Sequence, residues 1–191
     1  MTLHGHVFWL LSRSAGTVAL LAMTASVVLG LSLAGRIAGP RARTFSALHE
    51  HLSLIALVAI AVHGEALLGD RWLHPGPLGI TVPFAMDYRP LATGLGVIGG
   101  WLVAALGLSY YARRRFGPRR WRQLHRFTIA AWGLAVAHTL LAGTDAALLR
   151  IPVLASVGVV AALFSARLLG RRSGSRRSST PRTTASARSP G

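Results

Sequence analysis

The chain of 191 residues contains no cysteine and no lysine, and only 5 acidic residues. Without cysteine there is no disulfide framework, no thiolate-ligated iron–sulfur cluster, no Cys-ligated haem and no redox dithiol. Any redox chemistry therefore needs a bound cofactor. With so few carboxylates, partners for a transition-metal site are scarce. Aromatic residues make up 7% of the chain and hydrophobic residues 52%, so the apolar content is mainly aliphatic. That is too apolar for an ordinary soluble domain of this size and places the chain in the membrane class.

All 21 basic residues are arginine, and the net charge is +16. A balance this basic can signal nucleic-acid binding, but these arginines stand between and after long apolar runs rather than along one polar face. They read as topology signals and anchors for anionic lipid, with no nucleic acid as partner.

Five segments are apolar enough to cross a hydrocarbon core, about 15–34, 48–69, 91–111, 124–143 and 151–169. The expectation is an all-α polytopic membrane bundle of about five transmembrane helices. The first segment matches a full span in length, so it reads as a retained helix rather than a signal peptide. Alternate connections carry 16 arginines against 4, with Arg167 inside the last span. The positive-inside rule then puts the N-terminus outside and the C-terminus in the cytoplasm. Residues 70–90, rich in proline and glycine, form the longest outer connection and are expected to cap that mouth of the bundle. Domain organisation is read as a bundle over 1–170 and a basic, disordered cytoplasmic tail over 171–191, which lacks large apolar residues.

Of 8 histidines, His4, His6 and His74 fall in outer segments and read as solvated. The others lie in apolar spans, where an ionisable side chain is costly, faces the bundle interior and has a partner. Span two reads HEHLSLIALVAIAVH and span four HRFTIAAWGLAVAH, which separates His49 from His63 by 14 residues and His125 from His138 by 13. At about 1.5 Å per residue, the members of each pair lie roughly 20 Å apart along their helix. Both spans run in the same direction, so His49 and His125 share the inner level and His63 and His138 the outer. Two imidazoles on facing helices supply axial ligation to a planar iron porphyrin, which points to two b-type haems. At about 100° per residue His49 lies within about 40° of His63, whereas His51 is about 120° away, so His49 is preferred as ligand. The same arithmetic leaves His125 and His138 about 140° apart, a mismatch that calls for tilt or local rewinding. Small residues around the histidines leave room for a macrocycle. Glu65, two residues after His63, reads as an interfacial carboxylate or as a group that tunes the outer site.

On these residues the chain resembles the ferric-reductase-like transmembrane domain family, which includes the membrane domains of ferric reductase and NADPH oxidase and the haem subunit of bacterial methionine sulfoxide reductase systems. The resemblance rests on LHEHLSLIALVAIAVH and LHRFTIAAWGLAVAH, with WLLSRSAGTVALLAMTASVVLG and VPFAMDYRPLATGLG similar to stretches of small actinobacterial members. It covers about residues 8–170. It implies that His49 and His125 bind the inner haem iron, that His63 and His138 bind the outer, and that the protein is a multi-pass electron-transport protein of a bacterial plasma membrane. Larger relatives commonly have six spans, and family reductases often carry a cytosolic flavin and nicotinamide domain. No such segment and no dinucleotide fingerprint occurs here, so this chain is expected to hold no flavin or NAD(P). The reading is an oxidoreductase membrane subunit without an assigned catalytic residue, whose electron donor is a separate flavoprotein or a quinol. Arg119, Arg120, Arg122 and Arg126 are inner candidates for propionate or donor contacts, and Arg89 is an outer one. The alternative is a haem-free transporter or accessory protein using histidine as metal or substrate ligand.

Overall fold

A computed structural model describes residues 3–143 and 146–177. Every regular element among them is helical. The first, α1, spans Leu3–Ala34. It stops where Arg36 enters the left-handed region at φ 58° and the Ile37 N–H reaches back to the Ser32 carbonyl at 2.9 Å, a wrapped end that satisfies a carbonyl the helix has left open. A 3-10 turn at Gly39–Arg41 leads into α2, Ala42–Leu68. The 70–90 connection holds one short helix, α3, Gly76–Thr81. Then come α4, Pro90–Leu108, α5, Arg113–Phe116, α6, Pro118–His125, α7, Thr128–Ala142, and α8, Ala146–Arg177. Pro90 and Pro118 each open a helix, where a missing N–H costs nothing and the fixed φ favours the first turn.

The five expected spans correspond to α1, α2, α4, α7 and α8. Four are long and apolar enough to cross a membrane: His6–Ala34, Gly39–Leu68, Pro90–Leu108 and Ala146–Leu169. The remaining one is interrupted. Its first part is α6, and a turn at Arg126 and Phe127 separates that from the 15 residues of α7. At about 1.5 Å per residue α7 is roughly 22 Å long, shorter than a hydrocarbon core of about 30 Å. The C-terminal helix continues to Arg177. The rest of the basic tail, 178–191, and the side chains of 170–177 lie outside the described residues, as does the side chain of His4.

Helix α1 is the centre of the bundle. Its apolar window is 44% buried, against 11% for that of α8. It packs chiefly against α2, and also against α7 and α8, while α4 packs chiefly against α7. The core comprises Leu20, Met23, Val27 and Leu31 of α1 with Ala56, Ala131, Trp132, Val136, Val153 and Val160. Outward-facing residues stay large and apolar, including Val58, Leu91, Trp101 and Ile151. Such a surface suits hydrocarbon, and the helix is a form whose interior backbone groups are paired within the segment, as a span requires.

The 70–90 connection is pinned over one end. The Trp101 indole N–H donates to the Thr81 carbonyl at 2.8 Å, and the Arg89 guanidinium donates to the Leu141 carbonyl at the end of α7. The Asp70 carboxylate accepts the Trp72 backbone N–H at 2.8 Å and holds the first turn. This segment therefore covers the mouth as expected, on the side where α2 ends and α4 begins.

Candidate functional site

The histidine-bearing helices α2 and α7 do not form a close-packed pair. Each lies on its own partner, α2 on α1 and α7 on α4. Across the space between them the imidazoles meet at two levels. The His49 and His125 rings have centroids 5.9 Å apart and planes at 87°. The His63 and His138 rings are 6.2 Å apart with planes at 72°. His51 is exposed and bonds to the Ala47 carbonyl of its own helix at 2.7 Å, so it takes no part. His6 and His74 are exposed as well.

The phase mismatch within span four disappears in the tertiary structure. His125 is the last residue of α6 and His138 lies in α7, so the turn between the helices re-aims one ring relative to the other. No single helical phase joins them.

Three imidazoles are held in the same way. His49 Nδ1 lies 2.8 Å from the Ser26 carbonyl, His63 Nδ1 lies 2.7 Å from that of Ser12, and His138 Nδ1 lies 2.9 Å from that of Ala92. A carbonyl oxygen only accepts, so each Nδ1 carries the proton and each Nε2 keeps its lone pair for a ligand. Four residues after each accepting carbonyl stands a glycine. A methyl group on Gly16 would come within 3.0 Å of His63, one on Gly30 within 3.2 Å of His49, and one on Gly96 within 2.6 Å of His138. The glycine gives the ring room to reach the carbonyl. The serine hydroxyls add a second layer: Ser26 Oγ lies 2.9 Å from His49 Nδ1 and 2.8 Å from Ser53 Oγ, and Ser12 Oγ lies 3.1 Å from His63 Nδ1.

Sequence reasoning passed over this cradle, yet its signal is present. Ser12 and Ser26 are 14 residues apart, as are Gly16 and Gly30, and as are His49 and His63. One antiparallel register of α1 against α2 thus serves both levels. On α4 the Ala92 and Gly96 positions repeat the arrangement for His138 without a serine.

His125 is the exception. Its Nδ1 is buried without a hydrogen-bond partner, and its ring stacks on Trp121 with centroids 4.9 Å apart and planes at 26°. Between the two levels, Trp132 is buried and donates its indole N–H to Thr24 Oγ1 at 2.9 Å, tying α7 to α1.

A cavity of about 580 Å³ opens at the His63/His138 level. Its walls include both histidines, Gly16, Gly64, Gly96 and Gly100, together with Trp72, Met86 and Tyr88 of the 70–90 connection. Glu65 and Arg13 also line it. Arg119, Arg120, Arg122 and Arg126 are all exposed.

This geometry fits a ligated planar group. A metal–imidazole bond of about 2.0–2.1 Å, taken on both sides of a metal with about 1.1 Å from nitrogen to ring centre, separates trans imidazole centroids by about 6 Å. Both pairs have that separation. Among the described residues no three His, Asp or Glu side chains gather into a metal-ion cluster, so each pair supplies two ligands only. A macrocycle that brings its own equatorial donors would complete such a site, with the two histidines of a pair holding it.

Fold and site together define a class: an all-helical bundle, with four helices long and apolar enough to cross a membrane, that presents two stacked histidine pairs between its helices. No protein-family model, no curated protein and no solved structure matches the chain.

Proposed function

We propose that the chain is a membrane di-haem b-type cytochrome, the electron-carrying membrane component of a reductase in a bacterial plasma membrane. The observation that carries this reading is the pair of histidine pairs, each about 6 Å between ring centroids, with three of the four Nδ1 protons bound to backbone carbonyls. His49 and His125 would hold one haem, and His63 and His138 the other. Bound there, haem iron supplies a reversible one-electron couple. The residues of the chain hold and tune it. Ser12, Ser26 and Ala92 accept the Nδ1 protons, which fixes each ring and raises the donor strength of its Nε2. Trp72, Met86 and Tyr88 would line the second haem on the side of the 70–90 connection.

Sidedness follows from the arginine distribution. The connections carrying 16 arginines face the cytoplasm. The His49/His125 pair is then inner and the His63/His138 pair outer, and electrons cross from a cytoplasmic or membrane donor to an outer acceptor. The donor is a separate flavoprotein or a quinol, in keeping with the likeness to the ferric-reductase-like transmembrane family.

Reduced-minus-oxidised spectroscopy of the purified full chain tests the proposal. The expected result is a b-type spectrum with two haems per chain. Near-perpendicular imidazole planes at both levels further call for large-gmax low-spin EPR signals. A protein purified from haem-replete cells without a b-type signal overturns the reading in favour of a haem-free transporter or accessory protein.

A further inference from the structure

Continuing the α4–α7 register from His138 to His125 would call for the carbonyl of Ala105 and a glycine at 109. The glycine is missing. Position 109 is the serine that caps the end of α4, so a side chain stands where the cradle needs a glycine, and the His125 Nδ1 reaches no carbonyl. The carbonyl-and-glycine cradle therefore occurs three times and fails at the fourth imidazole.

A different support stands in its place. Trp121 lies one helical turn before His125 in α6, and its ring covers the imidazole face at 4.9 Å. Tyr110 backs Trp121 edge-on at 6.0 Å. The Arg113 guanidinium in turn covers the Tyr110 ring at 3.7 Å and donates to the Tyr110 carbonyl at 2.9 Å. The His125 Nδ1 and the Trp121 Nε1 are both buried and both without a partner. Occlusion keeps solvent from supplying the missing acceptor.

We propose that Trp121 is the positioning residue for His125, and that the inner pair is consequently the more exchangeable of the two. This rests on the di-haem reading. A ring held by stacking alone is fixed against tilting but free to slide in its plane, whereas a bonded Nδ1 proton fixes rotation as well. An Nδ1–H without an acceptor also leaves the imidazole less anionic, hence a weaker donor through Nε2. The His125 bond is the one that an added ligand displaces first. Because the stack belongs to the basic connection between α4 and α7, that connection, rather than a helix backbone, holds the fourth ligand.

The test uses cyanide as the probe on full-length protein in detergent. The His63→Ala chain retains the inner haem alone and should bind cyanide at a lower concentration than the His49→Ala chain, which retains the outer haem alone. Trp121→Leu should lower the cyanide concentration needed at the inner haem by roughly two- to tenfold, the scale of one lost aromatic stack, and shift the inner large-gmax EPR signal. Trp121→Phe keeps a stacking ring without an N–H and should restore both. Equal cyanide sensitivity of the two single-haem chains, or a Trp121→Leu protein with two haems and an unshifted inner signal, overturns the proposal and leaves the di-haem reading intact. An unsubstituted chain without haem overturns both.

Discussion

An imidazole is fixed for ligation when the proton on its other nitrogen has an acceptor, and for three of the four paired histidines here that acceptor is backbone. Ser12, Ser26 and Ala92 act through their carbonyls, which substitution of the side chain does not remove. The serine hydroxyls form the adjustable part. Neighbouring histidines separate cleanly by this criterion: His49 has a cross-helix acceptor, whereas His51 turns back on its own helix. His49→Ala is therefore expected to lose the inner haem, about half of the total, while His51→Ala keeps both. Pyridine haemochrome quantification of the two variants checks this, and the reverse outcome would exchange their roles.

At the scale of elements, the site depends on close approach between α1 and α2 and between α4 and α7. Glycine permits that approach where an imidazole crosses to the neighbouring backbone. Gly96 is the tightest of the three cradle positions, since an added methyl would lie 2.6 Å from His138 Nδ1. Gly96→Ala should displace that ring and abolish the outer haem signal while the inner one survives. Gly158 of α8 offers the comparison, because nothing lies within 4 Å of an added methyl there. Gly158→Ala should keep both signals and leave thermal stability equal or higher, by about 0.5–1 kcal/mol, the usual gain for alanine over glycine within a helix. Loss of both signals in Gly96→Ala would mean that the α4–α7 contact supports the whole bundle rather than one level.

For the whole molecule, the histidine pairs define an axis, and the proposed sidedness rests on the arginines. A reporter fused after residue 191 should be active only in the cytoplasm, and one placed before residue 1 only outside. A reversed result would leave the two pairs intact and exchange which is inner. Reconstituted into vesicles, the protein should reduce an external impermeant acceptor from an enclosed donor at a rate that falls to background in both His49→Ala and His63→Ala. On the di-haem reading, either level alone would be too short to cross a core about 30 Å thick.

The all-helical bundle, the apolar spans and the 14- and 13-residue histidine intervals could be read directly from the residues, because hydrophobic run length and helical rise are local properties. The same local arithmetic separated His49 from His51. It failed for His125 and His138, because it assumed one continuous helix where a turn at Arg126 and Phe127 intervenes. The repeated Ser–Gly interval on α1 was equally visible in the sequence, but it had no meaning until α1 was known to lie antiparallel on α2. Which carbonyl receives which Nδ1 proton, and that His125 receives none, was decided only by the packing. An acceptor is a backbone atom found on every residue, so nothing in the sequence marks it. Its availability depends on which helix lies alongside and where that helix ends.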